Sequence, residues 1–202
     1  MSEKGLLQTF QLMHEGVMAN RTAYSPEKII LGPGSEIVVD VTDDDRTVGL
    51  LSAEGRSGFL VATENGQAQF LEMPSGLFSE EHAHSYGFII YTVKGRWVLC
   101  SNGKRCVMGP GSIYTCRANV SMGMEVPFDE GAFLLFFLEG GVKVERRYED
   151  YLRGVSEGTI DHKVTTMTHL QDLPDSHPAR SFARKVNPEF FKSPSRSVSH
   201  YR

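Results

Sequence analysis

A succession of short β-rich runs, each broken by turn residues, is the feature that most constrains the fold of this chain. The breaks are acidic or contain Asn and Gly, as in Asp43-Asp44-Asp45 and Asn65-Gly66. Many short strands at nearly regular spacing are typical of an antiparallel sandwich or barrel, so the sequence predicts an all-β fold. The predicted strands are Glu36–Val41, Thr47–Ala53, Phe59–Glu64, Ala68–Met73, Phe88–Val93, Trp97–Cys100, Arg105–Met108, Ser112–Cys116, Ser121–Val126 and Ala132–Leu138.

One hairpin can be predicted in register. Asn102-Gly103 is typical of a tight two-residue turn. The pairing that this turn sets places Cys100 opposite Arg105 and Leu99 opposite Cys106, so the two cysteines face opposite sides of the sheet. The chain has three cysteines and no zinc-type spacing. We therefore predict reduced thiols in a cytoplasmic protein.

The composition excludes several classes of protein. The chain has 202 residues, 40% hydrophobic and 23% charged, as in a soluble globular domain. A net charge of -4 gives no electrostatic support to a nucleic-acid partner. Glu3, Lys4, Gln8 and His14 interrupt the first residues, so we predict neither a signal peptide nor a membrane partner.

The two ends of the chain differ from the β-rich middle. Lys4–Glu15 has apolar residues at helical spacing and predicts an amphipathic helix. Arg146–Arg153 predicts a short helix that ends at Gly154. Residues 174–202 hold six Lys or Arg against two Asp or Glu, which indicates a basic tail, either an irregular arm or a mobile end. We divide the chain into an N-terminal helix and arm (1–35), a barrel with additional strands (36–145) and a C-terminal helix and basic tail (146–202).

His82 and His84 are the strongest candidates for chemistry. They lie two residues apart, and Gly95 follows at the end of the next strand. Side chains at this spacing on a strand point to the same face, where both imidazoles can reach one metal ion.

The histidine pair and the residues around it resemble a motif of a known protein family. Residues from about Gly76 to Leu138, a third of the chain, are similar to a cupin domain. Gly76, His82, His84 and Gly95 match the first motif of that family, and Pro110-Gly111-Ser112 matches the opening of the second. The resemblance implies a cupin double-stranded β-helix, or jelly-roll barrel, with extra N-terminal strands and a short helical or irregular C-terminal arm.

Comparison with the family motif also shows which metal ligands are replaced in this chain. Metal-binding cupins hold their ion with three histidines and a carboxylate or amide. Here Phe88, or Ile89 at the longer spacing, occupies the acidic or amide position, and Met122 occupies the third histidine position. Phenylalanine cannot ligate, and a thioether is a poor ligand for Fe, Mn or Zn. Candidates to complete the site are Glu80, Glu81, Tyr86 and Glu125.

Two interpretations of the histidine pair therefore stay open. In one, His82 and His84 hold one divalent ion (Fe, Mn, Zn or Ni). In the other, they are hydrogen-bonded pocket histidines without a metal. The second agrees better with the usual count of three or four protein ligands.

The barrel interior is predicted to be apolar. Alternation places Phe88, Ile90 and Thr92 on the inward face, with Met122 and Met124 opposite. The apolar members of this set, Phe88, Ile90, Met122 and Met124, are candidate ligand-binding residues for a small, partly apolar molecule. The alternative is that the same side chains simply fill the barrel as core.

Two function hypotheses follow. The first is a cupin-domain protein that binds a small ligand in the barrel with an incomplete metal site, and the missing ligands favour it. The alternative is a metal-dependent cupin enzyme, an isomerase, lyase or oxygenase, that uses His82 and His84. The run Phe133-Leu134-Leu135-Phe136-Phe137 is apolar on both faces, which indicates a strand covered on each side, either as sheet core or as a dimer face. Many cupins pair as dimers, so the resemblance implies a homodimer.

Overall fold

The computed structural model describes residues 28–42, 50–139 and 167–192. The predicted helices Lys4–Glu15 and Arg146–Arg153 lie outside these residues. Within the described residues, no helix is long and apolar enough to span a membrane. The elements are β1 (Lys28–Gly32), β2 (Ser35–Val38), β3 (Leu50–Ser52), β4 (Gly55–Ala62), β5 (Gly66–Met73), β6 (Leu77–Ala83), β7 (Phe88–Gly95), β8 (Trp97–Ser101), β9 (Lys104–Met108), β10 (Ile113–Cys116), β11 (Ser121–Glu125), β12 (Ala132–Glu139), β13 (Thr168–His169), a 3-10 helix (Leu170–Asp172) and α1 (Pro178–Val186).

The strands form two antiparallel sheets that face each other. One sheet has six strands in the order β10-β7-β12-β5-β4-β3, and the other has five in the order β13-β6-β11-β8-β9. Strands β1 and β2 form a separate hairpin. Because neighbours along the chain often lie in different sheets, the chain crosses between the sheets as in a jelly roll. The predicted all-β jelly-roll architecture is confirmed.

The strand predictions hold, although three strands were not predicted or not delimited. Each predicted run overlaps a strand, and the hairpin register places Cys100 opposite Arg105 and Leu99 opposite Cys106 as expected. All three cysteines are free thiols. Strand β6 was not delimited, because its polar sequence has little apolar alternation to detect. Strands β1 and β13 were also not predicted.

The basic C-terminal segment is not wholly irregular, since it contains α1. Pro178 occupies the first turn, where its missing N–H costs nothing, and the His177 side chain accepts a hydrogen bond from the Ala179 backbone N–H. Ala179 and Ala183, one turn apart, are fully buried. The basic composition hid this helix because only two small side chains make its buried face.

The core lies between the two sheets. Trp97, Ile90, Leu134 and Leu77 are fully buried there. The Trp97 indole N–H donates to Thr92 Oγ1 at 2.9 Å, so the buried polar atoms of both side chains are satisfied. On the order of 1.5–3 kcal/mol comes from burying each large apolar side chain. This packing fixes the spacing of the sheets.

The outer faces of the two sheets are covered differently. Helix α1 and the 3-10 helix cover part of the five-stranded sheet, where Leu170, Phe190 and Phe78 pack with the alanines of α1. On the six-stranded sheet, Phe70 and Phe133 stack with centroids 5.7 Å apart. Farther along the same sheet several apolar side chains are exposed, which we call the outer apolar face: Ile89, Tyr91, Ile113 and Phe137.

Candidate functional site

The histidine pair lies at the end of β6, at the edge of the barrel interior. His82 is opposite Met122 of β11, and the His82 and His84 ring centroids are 4.7 Å apart. His84 also contacts the ring of Phe88, with centroids 5.4 Å apart. The structure therefore brings together both histidines and the two side chains that replace the usual cupin ligands.

A β-bulge breaks the alternation just before the histidines. Between Met122 and Met124 the register shifts, so that Ser79 and His82, three residues apart, face two positions of β11. At Gly123 a Cβ atom would lie 2.7 Å from the Ser79 carbonyl oxygen, so this close approach requires glycine. Glu80, a candidate to complete the metal site, lies within this bulge, so its side-chain direction does not follow from its spacing to His82.

Glu54 is the site residue that the sequence interpretation missed. Its Oε1 accepts a hydrogen bond from Ser79 Oγ at 3.0 Å and lies 3.3 Å from His82 Nε2. The β3–β4 turn presents this carboxylate: the Glu54 backbone N–H donates to Ser52 Oγ. A Cβ at Gly55 would lie 2.1 Å from a backbone oxygen of β5. Glu54 and His82 are far apart in sequence, so no local pattern connects them.

The partners of His82 determine its tautomer. Nδ1 lies 2.9 Å from the Glu80 carbonyl oxygen, which can only accept, so Nδ1 carries a proton. Nε2 can then hydrogen-bond to the Glu54 carboxylate only when it is protonated as well. With the Glu80 carbonyl at Nδ1 and Glu54 Oε1 3.3 Å from Nε2, both ring nitrogens of His82 have an oxygen neighbour.

The environment favours the neutral form of His84. Burial lowers the pKa of His84, the neighbouring charge of His82 lowers it further, and Glu54 partly opposes both effects. Burial, with a smaller contribution from Glu54, also raises the pKa of Tyr86, so its phenol keeps its proton. The ring centroids of His84 and Tyr86 are 5.4 Å apart. Together they present a neutral imidazole and a phenol O–H.

A cavity of about 110 Å³ lies between the sheets next to these groups. This is smaller than the cavity of about 150 Å³ that holds benzene, so at most one small ring fits, with part of it on the solvent-open side beside Glu54 and His82. Ile90 does not line the cavity and is fully buried in the core. The apolar wall contains Phe88, Met122, Met124, Phe136 and Leu138, and the polar wall contains Glu54, His84, Tyr86, Ser52, Ser57 and Gln69.

The other acidic candidates have structural partners. Glu81 Oε1 accepts hydrogen bonds from the Cys100 thiol and the Gly103 backbone N–H. Glu125 is fully buried and accepts from Arg105 Nε at 2.8 Å. Within residues 28–42, 50–139 and 167–192, no group of three His, Cys, Asp or Glu residues is arranged to hold a metal ion. In this part of the chain, the side chains do not fit a metal centre held by three or more protein ligands.

Comparison with known proteins agrees with this geometry. Residues 70–138, from β5 to β12, match the family model of the AraC-like ligand binding domain. This part of the chain is a cupin-type domain. The resemblance seen in the histidine motif is thus confirmed at the level of the superfamily. No curated protein matches the chain in sequence.

Several solved structures are similar to part of this chain at low identity. KdgF from a Halomonas species is 14% identical, with 45% of this chain and 83% of that protein covered and a TM-score of 0.41. An RmlC-like cupin from Shewanella frigidimarina is 16% identical, with 59% and 88% covered and a TM-score of 0.42. The DMSP lyase DddQ from Ruegeria pomeroyi is 17% identical, with 57% and 56% covered and a TM-score of 0.39. These likenesses carry no information on activity.

Proposed function

We propose that the cupin-type domain binds a small, partly apolar molecule in the cavity between its sheets. The observation that supports this is the division of the cavity wall. Phe88, Met122 and Met124 form an apolar side, and Glu54 and His84 form part of the polar side. A concave apolar site with a few convergent polar groups is the usual form of a small-molecule site.

The polar side sets the chemistry of the ligand. Glu54 Oε1 already has two partners, so Oε2 is the acceptor left for a ligand. The neutral imidazole of His84 and the phenol of Tyr86 add a mixed donor and acceptor set. The ligand is a ring or branched group of benzene size that carries a hydroxyl or amino donor.

Phenol and toluene test this proposal, since they share a shape and differ in one O–H group. The methyl NMR signals of Met122 and Met124 should move on addition of phenol, and those of Met108, which is in the same core but does not line the cavity, should not. Phenol should bind about tenfold tighter than toluene because its O–H satisfies the carboxylate. Glu54→Ala should abolish this preference, and Glu80→Ala, a matched exposed carboxylate, should retain it.

Two results would contradict the ligand-binding proposal. In one, neither compound moves the Met122 and Met124 signals at millimolar concentration. In the other, phenol and toluene bind equally well to the unmodified protein, so that the polar wall has no part in recognition.

The alternative function is a metal-dependent isomerase, lyase or oxygenase. The donor types of His82, His84 and Glu54 favour it, because two imidazoles and a carboxylate suit Fe, Mn, Zn or Ni. Their arrangement does not favour it, as described above. Metal analysis of protein purified without chelator decides between the two. A stoichiometric ion that is lost in His82→Ala/His84→Ala supports the enzyme, and substoichiometric metal in both proteins removes it.

The proposal includes a homodimer in a reducing, cytoplasmic setting. The part of the outer apolar face outside the pockets supports the dimer, since Tyr91 and Ile113 lie exposed at paired positions of neighbouring strands, and contiguous exposed apolar surface often marks an interface. The three free thiols agree with a reducing compartment. A monomer in light scattering at micromolar concentration would contradict the dimer.

A further inference from the structure

A second concave site lies at the end of the sandwich. It is a groove of about 640 Å³ where β4, β10 and β12 end and β5 and β7 begin. This volume is within the range of about 300–1,000 Å³ of sites for drug-sized molecules. The side chains of Phe88 and Leu138 line both the groove and the barrel cavity, so they lie between the two.

The groove has an apolar floor with one polar group at its base. Val61, Ala68, Ile89 and Phe137 contribute the apolar surface. Gln67 also lines the groove and is only 6% exposed, and its Oε1 has no hydrogen-bond partner in the described part of the chain. A buried amide oxygen without a partner is costly and calls for a donor that the described residues do not supply.

The rim of the groove is built by specific contacts. The Gly87 backbone N–H donates to Glu139 Oε2 at 3.2 Å, and the Glu139 N–H donates to the Gly87 carbonyl at 3.0 Å. A Cβ at Gly87 would lie 2.9 Å from the Glu139 carboxyl group, so glycine is required for this approach. Arg117 also lines the groove. One cation and one anion leave the groove without net charge.

We propose that this groove binds a neutral, mostly apolar molecule of drug-like size with one N–H or O–H donor directed at Gln67 Oε1. The balanced rim charges favour a neutral ligand over an ion. The apolar floor accounts for most of the contact, and the Gln67 amide selects the donor. The site is distinct from the barrel cavity, which is too small for such a molecule.

The test uses two probes of nearly the same shape, N-phenyl-1-naphthylamine and 1-phenoxynaphthalene. The amine has one N–H donor and fluoresces in apolar sites, and the ether has none. With the full chain we expect one amine site per chain, and competition should show the ether to bind about tenfold more weakly. Gln67→Leu should bring the two affinities together.

Two further variants complete the test. Gln171→Leu makes the same change at an exposed residue that lines neither the groove nor the barrel cavity, and it should keep the tenfold preference. Ala118→Trp should fill the groove and weaken both probes.

Each of the following results would overturn the proposal: no binding of the amine to the unmodified chain, equal affinity of the two probes for it, or an unchanged preference in Gln67→Leu. In the second case a water molecule, rather than a ligand, satisfies Gln67. Because neither probe fits the barrel cavity, these results are independent of the phenol experiment.

Discussion

Two pairs of a carboxylate with a basic side chain lie on opposite sides of the five-stranded sheet. Glu54 and His82 meet at the barrel interior, with side chains 27% and 44% exposed. Glu125 and Arg105 meet on the outer side, with side chains 1% and 15% exposed. The first pair is open to solvent and borders a cavity, and the second is sealed. Alternation along β11 accounts for the two sides, because Met122 lies opposite His82 and Glu125 points to the other face.

The largest difference is expected in stability. In Arg105→Met the Glu125 carboxylate stays buried without its counterion, which should lower the free energy of unfolding by about 3 to 5 kcal/mol. The double variant Arg105→Met/Glu125→Met should recover most of this loss, because no charge remains buried. Urea denaturation at pH 7 measures both. A loss below about 1 kcal/mol in the single variant would show that water reaches Glu125.

The loss of stability in Arg105→Met should depend on pH in a definite direction. Burial raises the pKa of Glu125, and Arg105 opposes this rise. A carboxyl group with a raised pKa in the folded state stabilises the fold below its unfolded pKa of about 4.3, and this contribution is lost as the pH rises through the folded value. In Arg105→Met the pKa of Glu125 rises further. The deficit should therefore shrink as the pH is lowered from 7.

The three cysteine thiols also differ in their exposure to solvent. Burial, with the hydrogen bond to Glu81, raises the pKa of Cys100 to about 12, which makes its thiolate fraction about a thousandfold smaller than that of an ordinary thiol. Cys116 is also buried, and Cys106 is exposed. A disulfide reagent should modify one thiol of the folded chain rapidly and three after unfolding. Rapid loss of two thiols from the folded chain would contradict this, with Cys106→Ser as the control.

The sequence predicted features that depend on local geometry. Asn102-Gly103 fixed the hairpin register because its turn type allows one pairing. Phe88 and Ile90 are buried as alternation requires, since β7 has no bulge between them. In both cases the controlling residues are neighbours along the chain.

Prediction from the sequence failed where contacting residues are far apart in the chain or the backbone is irregular. Glu54 reaches His82 only through the packing of the β3–β4 turn against β6, which no spacing rule encodes. The register of β6 shifts between Ser79 and His82, beside Gly123, so spacing alone cannot assign Glu80 to a face of the sheet. Glu125, also considered as a possible metal ligand, is instead paired with Arg105 on the outer side.

A smaller stability effect is expected at the inner pair. Glu54→Ala removes one member of a pair whose histidine is 44% exposed, so solvent can hydrate His82 in its place. The free energy of unfolding should fall by less than about 1 kcal/mol. The same urea titration as for Arg105→Met measures it. A loss as large as that of Arg105→Met would mean that Glu54 is part of the folding core, and the contrast between the pairs would fail.

The smallest effect is a shift in the titration of His84. Burial and the charge of His82 lower the pKa of His84, and Glu54 opposes them. Glu54→Gln should therefore lower the pKa of His84 further, and His82→Ala should raise it, as followed by the ring C–H signals in NMR. Glu80→Gln, whose carboxylate does not affect this pKa, should leave it unchanged. Because a lowered histidine pKa withdraws stability as the pH falls, Glu54→Gln should also be more acid-sensitive than the unmodified protein. A pKa that rises in Glu54→Gln would mean that Glu54 and His84 do not share the cavity wall.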